Sequence, residues 1–266
     1  VSLAVENIGA GYNRIPVLKN VSLKVEPGTV CALMGRNGSG KTTILRCINA
    51  ILKPTHGRVE ANGRDVRSLS RIEIARLISL VPQGITAAFS FSCLDMILMA
   101  SAARIRAWSA PGKREISKAL EILDEVGIPA LAHRSFNQLS GGERQLVMLA
   151  RALFQDAPIM LLDEPNSHLD FSNQHRMMRL MRDMAKKRGA TALITLHDPN
   201  LTLHYCDQAV MIKEGRVVAH GPTEEVMEND ILRFVLGENI QLDRTVLGFR
   251  VVTPRNSDLP GGPHAM

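Results

Sequence analysis

An α/β protein with a largely parallel central sheet is predicted, and three observations predict it. Short, mostly apolar runs recur at Val30 to Met34, Ile78 to Val81, Ile159 to Leu162, Thr191 to Leu196 and Ala209 to Ile212. Each has the length of a strand without strict polar alternation, so each reads as a strand covered on both faces. Helical patterns lie between them. After Gly40, residues Ile44, Leu45, Ile48, Ile51 and Leu52 fall on one helical face, and Ile116, Ala119, Leu120, Leu123 and Val126 do so again. Leu146, Val147, Leu149, Ala150 and Leu153 form a third such face. Strands that alternate with amphipathic helices pack as a parallel sheet with helices on its faces.

Two regions depart from the alternation. Ser2 to Ile8 and Val21 to Val25 alternate as strands, with a turn at Glu26-Pro27-Gly28-Thr29, so the first 30 or so residues read as β-hairpins. Residues 89–154 carry few strand signals and read as a helical insertion into an α/β core made of 1–88 and 155–236. Beyond 236 the pattern weakens. A strand is expected at Val246 to Val252, and Thr253 to Met266, rich in Pro and Gly, is expected to be a mobile end of an appendage spanning 237–266.

Composition narrows the function classes. The chain has 266 residues, is 45% hydrophobic and 22% charged, and carries a formal charge of +6. That is globular composition, with too much apolar material for disorder. No run approaches the roughly 20 apolar residues of a spanning helix. Val1 to Glu6 show no basic segment followed by an apolar one, so no secretory leader is expected there. Cys31, Cys47, Cys93 and Cys206 form no C-x-x-C pair and are expected to be buried, reduced thiols. The modest positive charge calls for no nucleic acid.

Gly35-Arg36-Asn37-Gly38-Ser39-Gly40-Lys41-Thr42 fits G-x-x-x-x-G-K-[ST], between an expected strand and an expected helix. Glycines let the backbone curl so that successive N–H groups face phosphate oxygens, and the helix N-terminus adds a partial positive charge. Lys41 would reach the β- and γ-phosphates, and the Thr42 hydroxyl is suited to Mg²⁺. By itself the loop leaves ATPase, GTPase and kinase open. Ile159 to Leu162 runs into Asp163 and Glu164. Adjacent side chains at a strand end diverge, so Asp163 is suited to the Mg²⁺ shell and Glu164 to polarising an attacking water. Leu139-Ser140-Gly141-Gly142-Glu143-Arg144-Gln145 precedes a helix, with Ser140 as its cap, and offers a second candidate phosphate site.

This last run resembles the LSGGQ signature of ABC-transporter ATPases, with Glu143 in place of the usual Gln. Other segments are similar to that family's motifs, in the family's order, over about residues 1 to 235. The resemblance implies a P-loop NTPase (RecA-like) core with an N-terminal antiparallel β subdomain and a helical signature subdomain. It implies that Tyr12 stacks on adenine, and that Gly35, Asn37, Gly38, Ser39, Gly40, Lys41, Thr42 and Thr43 hold the nucleotide. Gln83 matches the Q-loop glutamine, joins Thr42 and Asp163 around Mg²⁺, and counts with Glu164 and His197 among the catalytic residues. Ser167-His168-Leu169-Asp170 matches the D-loop, and His197 the histidine that contacts the γ-phosphate, beside Glu164 as catalytic acid–base group. It implies, too, a head-to-tail homodimer in which Ser140, Gly141, Gly142, Glu143 and Asp170 of one subunit close over the ATP of the other.

A finer resemblance is to ATPases of importers for ferric siderophores, haem, cobalamin and related metal chelates. It rests on Leu169-Asp170-Phe171-Ser172-Asn173-Gln174, Thr195-Leu196-His197-Asp198-Pro199-Asn200 and Phe91-Ser92-Cys93-Leu94-Asp95-Met96-Ile97-Leu98-Met99. Ala100-Ser101-Ala102, Arg36 and Asn166 depart from that subfamily's usual residues. Molybdate and tungstate importers, and soluble non-transport members such as iron–sulfur cluster assembly ATPases, stay open as alternatives. An importer implies separate permease subunits, a periplasmic or surface binding protein, and a place at the cytoplasmic face of the inner membrane. The permease would seat in a groove near Gln83 to Phe91, where Ala87-Ala88-Phe89-Ser90-Phe91 is small and aromatic. The Met177 to Met184 run has helical spacing and is expected to pack in the core. His133, His168, His175, His204 and His220 show no metal-ligand spacing.

Overall fold

The computed structural model describes residues 1–84, 89–103, 110–167 and 169–255. Its centre is a six-stranded sheet ordered β10-β9-β3-β8-β7-β6. The strands are β3 (Val30–Met34), β6 (Ile78–Val81), β7 (Ile159–Leu162), β8 (Thr191–Leu196), β9 (Gln208–Lys213) and β10 (Arg216–Pro222). Neighbours pair in parallel except the edge strand β10, which runs antiparallel to β9. A second, antiparallel sheet is ordered β2-β1-β4-β5, from β1 (Leu3–Tyr12), β2 (Ile15–Val25), β4 (His56–Ala61) and β5 (Arg64–Asp65). The predicted hairpin strands are present but longer. The pairing of β1 with β2 is interrupted by bulges, which hide their period from a simple alternation count.

The buried residues explain why the central strands read as continuous apolar runs. Val30, Ala32 and Met34 of β3 face one core, shared with the helical insertion; Cys31 and Leu33 face another, shared with the antiparallel sheet. Both faces are covered, so neither tolerates polar side chains. The helices are α1 (Lys41–Ile48), α2 (Arg71–Leu77), α3 (Cys93–Leu98), α4 (Lys113–Glu125), α5 (Gly141–Gln155), α6 (Phe171–Arg188), α7 (Pro199–Tyr205), α8 (Thr223–Val226) and α9 (Asn229–Leu236). α1 stops before Ile51 and Leu52, which its apolar spacing had included. Ala50 turns left-handed there, at φ 50°, and leaves Ile51 exposed. Met177, Met178, Met181 and Met184 are buried along α6, and the four cysteines are buried and free.

Residues beyond 236 differ most from expectation. The strand expected at Val246 to Val252 is instead a turn followed by a strand. β11 (Ile240–Arg244) and β12 (Arg250–Pro254) form an antiparallel hairpin, and Val246 and Leu247 sit exposed at its tip. Val252 is buried in the main core, with Ile240 and Leu242 packed beside it. A seven-residue, mostly apolar stretch cannot distinguish strand from tip, because the difference lies in which residues meet the core.

Candidate nucleotide site

Gly35 to Thr42 joins β3 to α1 and forms one wall of an open cleft of about 670 Å³. A Cβ at Gly35 would lie 2.3 Å from the Ile212 carbonyl oxygen, and Gly40 has φ 109°, so both positions demand glycine. α1 has no side-chain N-cap and no acid in its first turn. Its first N–H groups are therefore left for an outside acceptor. α2, α3 and α5 are closed instead by capping boxes from Ser70, Ser92 and Ser140.

Lys41 is 5% exposed, and its Nζ donates to the carbonyls of Gly35 (2.8 Å) and Arg36 (3.3 Å). Burial pushes its ammonium below the ordinary lysine range, and the Glu164 and Asp163 carboxylates oppose that shift. A buried cation held by neutral carbonyls gains from an arriving phosphate. The buried Ser39 Oγ has no hydrogen-bond partner among the described residues, which suits it to a phosphate oxygen.

The two acids lie just past β7. Asp163 keeps its N–H on the Val81 carbonyl, and its Oδ1 accepts from the Thr195 hydroxyl (2.9 Å) and the Thr42 hydroxyl (3.3 Å). Glu164 then turns left-handed, at φ 48°, and swings toward the cleft. The divergence of the two acids was expected from strand pleating; this backbone reversal produces it. Glu164 Oε2 accepts from Gln83 Nε2, and Oε1 lies at hydrogen-bond distance from His197 Nε2, both at 2.6 Å. A carboxylate can only accept, so that contact requires the His197 proton on Nε2. Three loops, after β6, β7 and β8, thus converge on one carboxylate at the C-terminal edge of the sheet, where open α/β sheets bind ligands.

Thr195 went unnoticed in the sequence. Its hydroxyl accepts from the Glu164 N–H (2.7 Å) while donating to Asp163, so it ties both acids to β8. The available signal was a second hydroxyl, beyond that of Thr191, in a buried and mostly apolar strand, two residues before His197.

Of the nucleotide residues, Asn37, Gly38, Gly40, Lys41, Thr42 and Thr43 line the cleft with Gln83, Glu164 and His197. Tyr12 stands at the β1–β2 turn, where its hydroxyl accepts from Arg46 Nη1 (3.0 Å). Ser140, Gly142 and Glu143 lie elsewhere and line a separate cavity of about 330 Å³ beside Leu169, Asn173 and Arg176. Glu143 Oε2 accepts from the Ser140 N–H (2.8 Å) and hydroxyl (2.9 Å), which holds its carboxyl below the usual range. Asp170 caps α6 through the Asn173 N–H. His168, Ala87 and Ala88 lie outside the described residues.

Residues 18–167 match the family model described as "ABC transporter". The chain belongs to the ABC transporter family. It is an ATP-binding cassette, an ATPase coupled to transport. A "Probable iron chelatin transport ATP-binding protein" of Helicobacter pylori is 36% identical over 226 residues, 85% of this chain and 89% of the relative. The "Hemin import ATP-binding protein HmuV" of Rhodococcus jostii is 36% identical over 261 residues, covering 96% of this chain and 87% of the relative. A solved structure of a metal-chelate type ABC transporter in an inward-facing conformation superposes with a TM-score of 0.83. It has 28% identity and covers 96% of this chain and 98% of that one. The cassette's RecA-like parallel core, antiparallel β layer and helical insertion are those anticipated from the motifs.

Proposed function

We propose that this cassette hydrolyses MgATP to drive uptake of an iron chelate, such as a ferric siderophore or haem, through a separate transmembrane permease. The observation that carries the hydrolytic part is the convergence of Gln83 and His197 on Glu164 at the mouth of the phosphate loop. The cargo class rests on the iron chelatin, haemin and metal-chelate names of the relatives. In this reading Lys41 and the open N-terminus of α1 bind the β- and γ-phosphates. Glu164 takes the proton of the attacking water, and His197 donates its Nε2 proton toward the γ-phosphate.

The oxygen donors Thr42, Asp163 and Gln83 suit a hard cation, and the Thr42–Asp163 contact already gathers two of them. Mg²⁺ there supplies charge neutralisation between the phosphates.

The signature residues sit apart from the cleft, so one chain covers only one side of a nucleotide. Two copies in head-to-tail contact supply the other side, each presenting Ser140 and Gly142 to its partner's ATP. A dimeric structure of a related cassette, 29% identical with a TM-score of 0.74, supports a pairing of two copies. For the permease, a groove beside Pro82 between the core and the insertion is lined by Ile51, Arg71, Leu80 and Arg151. It lies next to the Q-loop, as the resemblance implies, and Phe89 of the insertion is exposed. The cassette would then be held peripherally at the cytoplasmic face of the membrane, with a binding protein delivering cargo on the far side.

Glu164→Gln should nearly abolish ATP turnover while leaving ATP binding intact, and should accumulate an ATP-bound dimer on size-exclusion chromatography. Turnover at the wild-type rate would refute the role of Glu164. In proteoliposomes with its permease, stimulation of ATPase activity by a loaded iron-chelate binding protein, and none by a molybdate one, is the expected cargo result.

A further inference from the structure

The C-terminal hairpin touches the helix that follows His197, and the contact is specific. Asn200 Oδ1 accepts from the Val252 N–H (2.8 Å), while Asn200 Nδ2 donates to the Val252 carbonyl (3.1 Å). Both polar atoms of one amide are thus matched to both backbone groups of one residue on β12.

The other end of this contact is short and stiff. Only Asp198 and Pro199 separate Asn200 from His197. Asp198 caps α7 by accepting from the Asn200 N–H (2.7 Å), and Pro199 has a fixed φ at the first helical position. A seven-residue helix has little stability of its own. Leu201, Thr202 and Tyr205 bury one side of α7, whereas Pro199 and Asn200 at its start are only half-buried. The hairpin is what holds the Asn200 side chain there.

The hairpin is itself pinned at several points. Arg250 Nη1 donates to the Glu224 carbonyl (2.6 Å), and Arg250 Nη2 donates to the Met227 carbonyl and pairs with Glu228 (2.8 Å). The Leu242 N–H donates to Asn229 Oδ1 (2.8 Å), and Arg233 Nε donates to the Ile240 carbonyl (3.2 Å). Its position is therefore set by α8 and α9, independently of the nucleotide cleft.

We propose that the β11–β12 hairpin is a positioning element for the ATPase reaction, with Asn200 as the positioning residue that sets where His197 meets Glu164. The inference rests on the reading of His197 as a γ-phosphate contact. Loss of the clamp leaves the phosphate loop untouched and misplaces the imidazole, so it lowers kcat rather than ATP affinity.

The test uses the full chain with MgATP. Asn200→Ala should lower kcat on the order of tenfold, as expected when a reacting group is displaced by a fraction of an ångström to an ångström. KM for ATP should change far less than kcat, because the Lys41 and phosphate-loop contacts are intact. Asn200→Asp keeps the acceptor for the Val252 N–H and should recover part of the rate. Val252→Pro removes that N–H, which points to Asn200, and should reproduce the kcat loss from the hairpin side even if Asn200→Ala fails to fold. Wild-type kcat in both Asn200→Ala and Val252→Pro would overturn the proposal, as would a raised KM with kcat unchanged. His197→Ala separates the two levels. Wild-type turnover in that variant would refute the role of His197 itself, whereas inactive His197→Ala beside fully active Asn200→Ala would refute only the positioning.

Discussion

Replacing Thr195 by Val tests whether one buried hydroxyl organises the acidic pair. Valine keeps the side-chain volume and the strand preference of this fully buried position and removes only the hydroxyl. Two interactions disappear: the 2.9 Å bond to Asp163 Oδ1 and the 2.7 Å bond from the Glu164 N–H. A hydrogen bond to a charged acceptor contributes about 1.5–3 kcal/mol, and a buried donor left without a partner costs about 1–3 kcal/mol. The Glu164 backbone is also held in the left-handed region partly by this bond. Some relaxation and access of water to the cleft will offset the sum, so about 3 kcal/mol of lost stability is expected. The assay is urea denaturation followed by circular dichroism, in which the midpoint should fall with an unchanged slope. Thr195→Ser keeps the hydroxyl, loses one methyl group, and should cost only about 1 kcal/mol. ATP turnover of Thr195→Val should fall as well, because Asp163 and Glu164 are both released from β8. A midpoint shift worth under about 0.5 kcal/mol, together with wild-type turnover, would refute the reasoning, since surface-like changes give shifts of that size.

Two further outcomes are expected. Lys41→Ala should weaken ATP binding by about tenfold or more by fluorescence titration, since it removes a buried cation facing the phosphate site; undiminished affinity would contradict the phosphate-loop reading. Acid should destabilise the fold from about pH 4.5 downward. Asp65, Glu125 and Glu143 have folded-state carboxyls below their ordinary range through hydrogen bonds and ion pairs, and Glu73 is lowered to about 2 by Arg64 and Ser70. Depressed carboxyls contribute stability that is present above the unfolded-state value and lost as pH falls through the folded one. A thermal midpoint flat from pH 6 to pH 3 would contradict that sign.

Local chemistry was legible in the sequence because its meaning does not depend on distant residues. The glycines of Gly35 to Thr42 prescribe a backbone path within eight consecutive positions, and the strand and helix around them are strongly patterned. The cap of α5 by Ser140 and Glu143 is likewise a four-residue matter. Asp163 and Glu164 were found because two acids end an apolar strand, although their divergence comes from a left-handed turn that no pleat rule anticipates.

The sequence by itself pointed to the class of fold through its alternating patterns, to the phosphate loop and the acidic pair through contiguous residues whose spacing carries the physics, and to the signature segment through its resemblance to the family motif. Only the tertiary structure decided that the Thr195 hydroxyl joins Asp163 to Glu164, that Gln83 and His197 both reach one carboxylate, and that residues 240–254 are a docked hairpin clamped to Asn200. Each of those depends on the pairing of strands far apart in the chain. Which hydroxyl faces which acid, and which apolar residue meets the core, is settled by register and packing, and neither is encoded in the spacing of neighbours along the sequence.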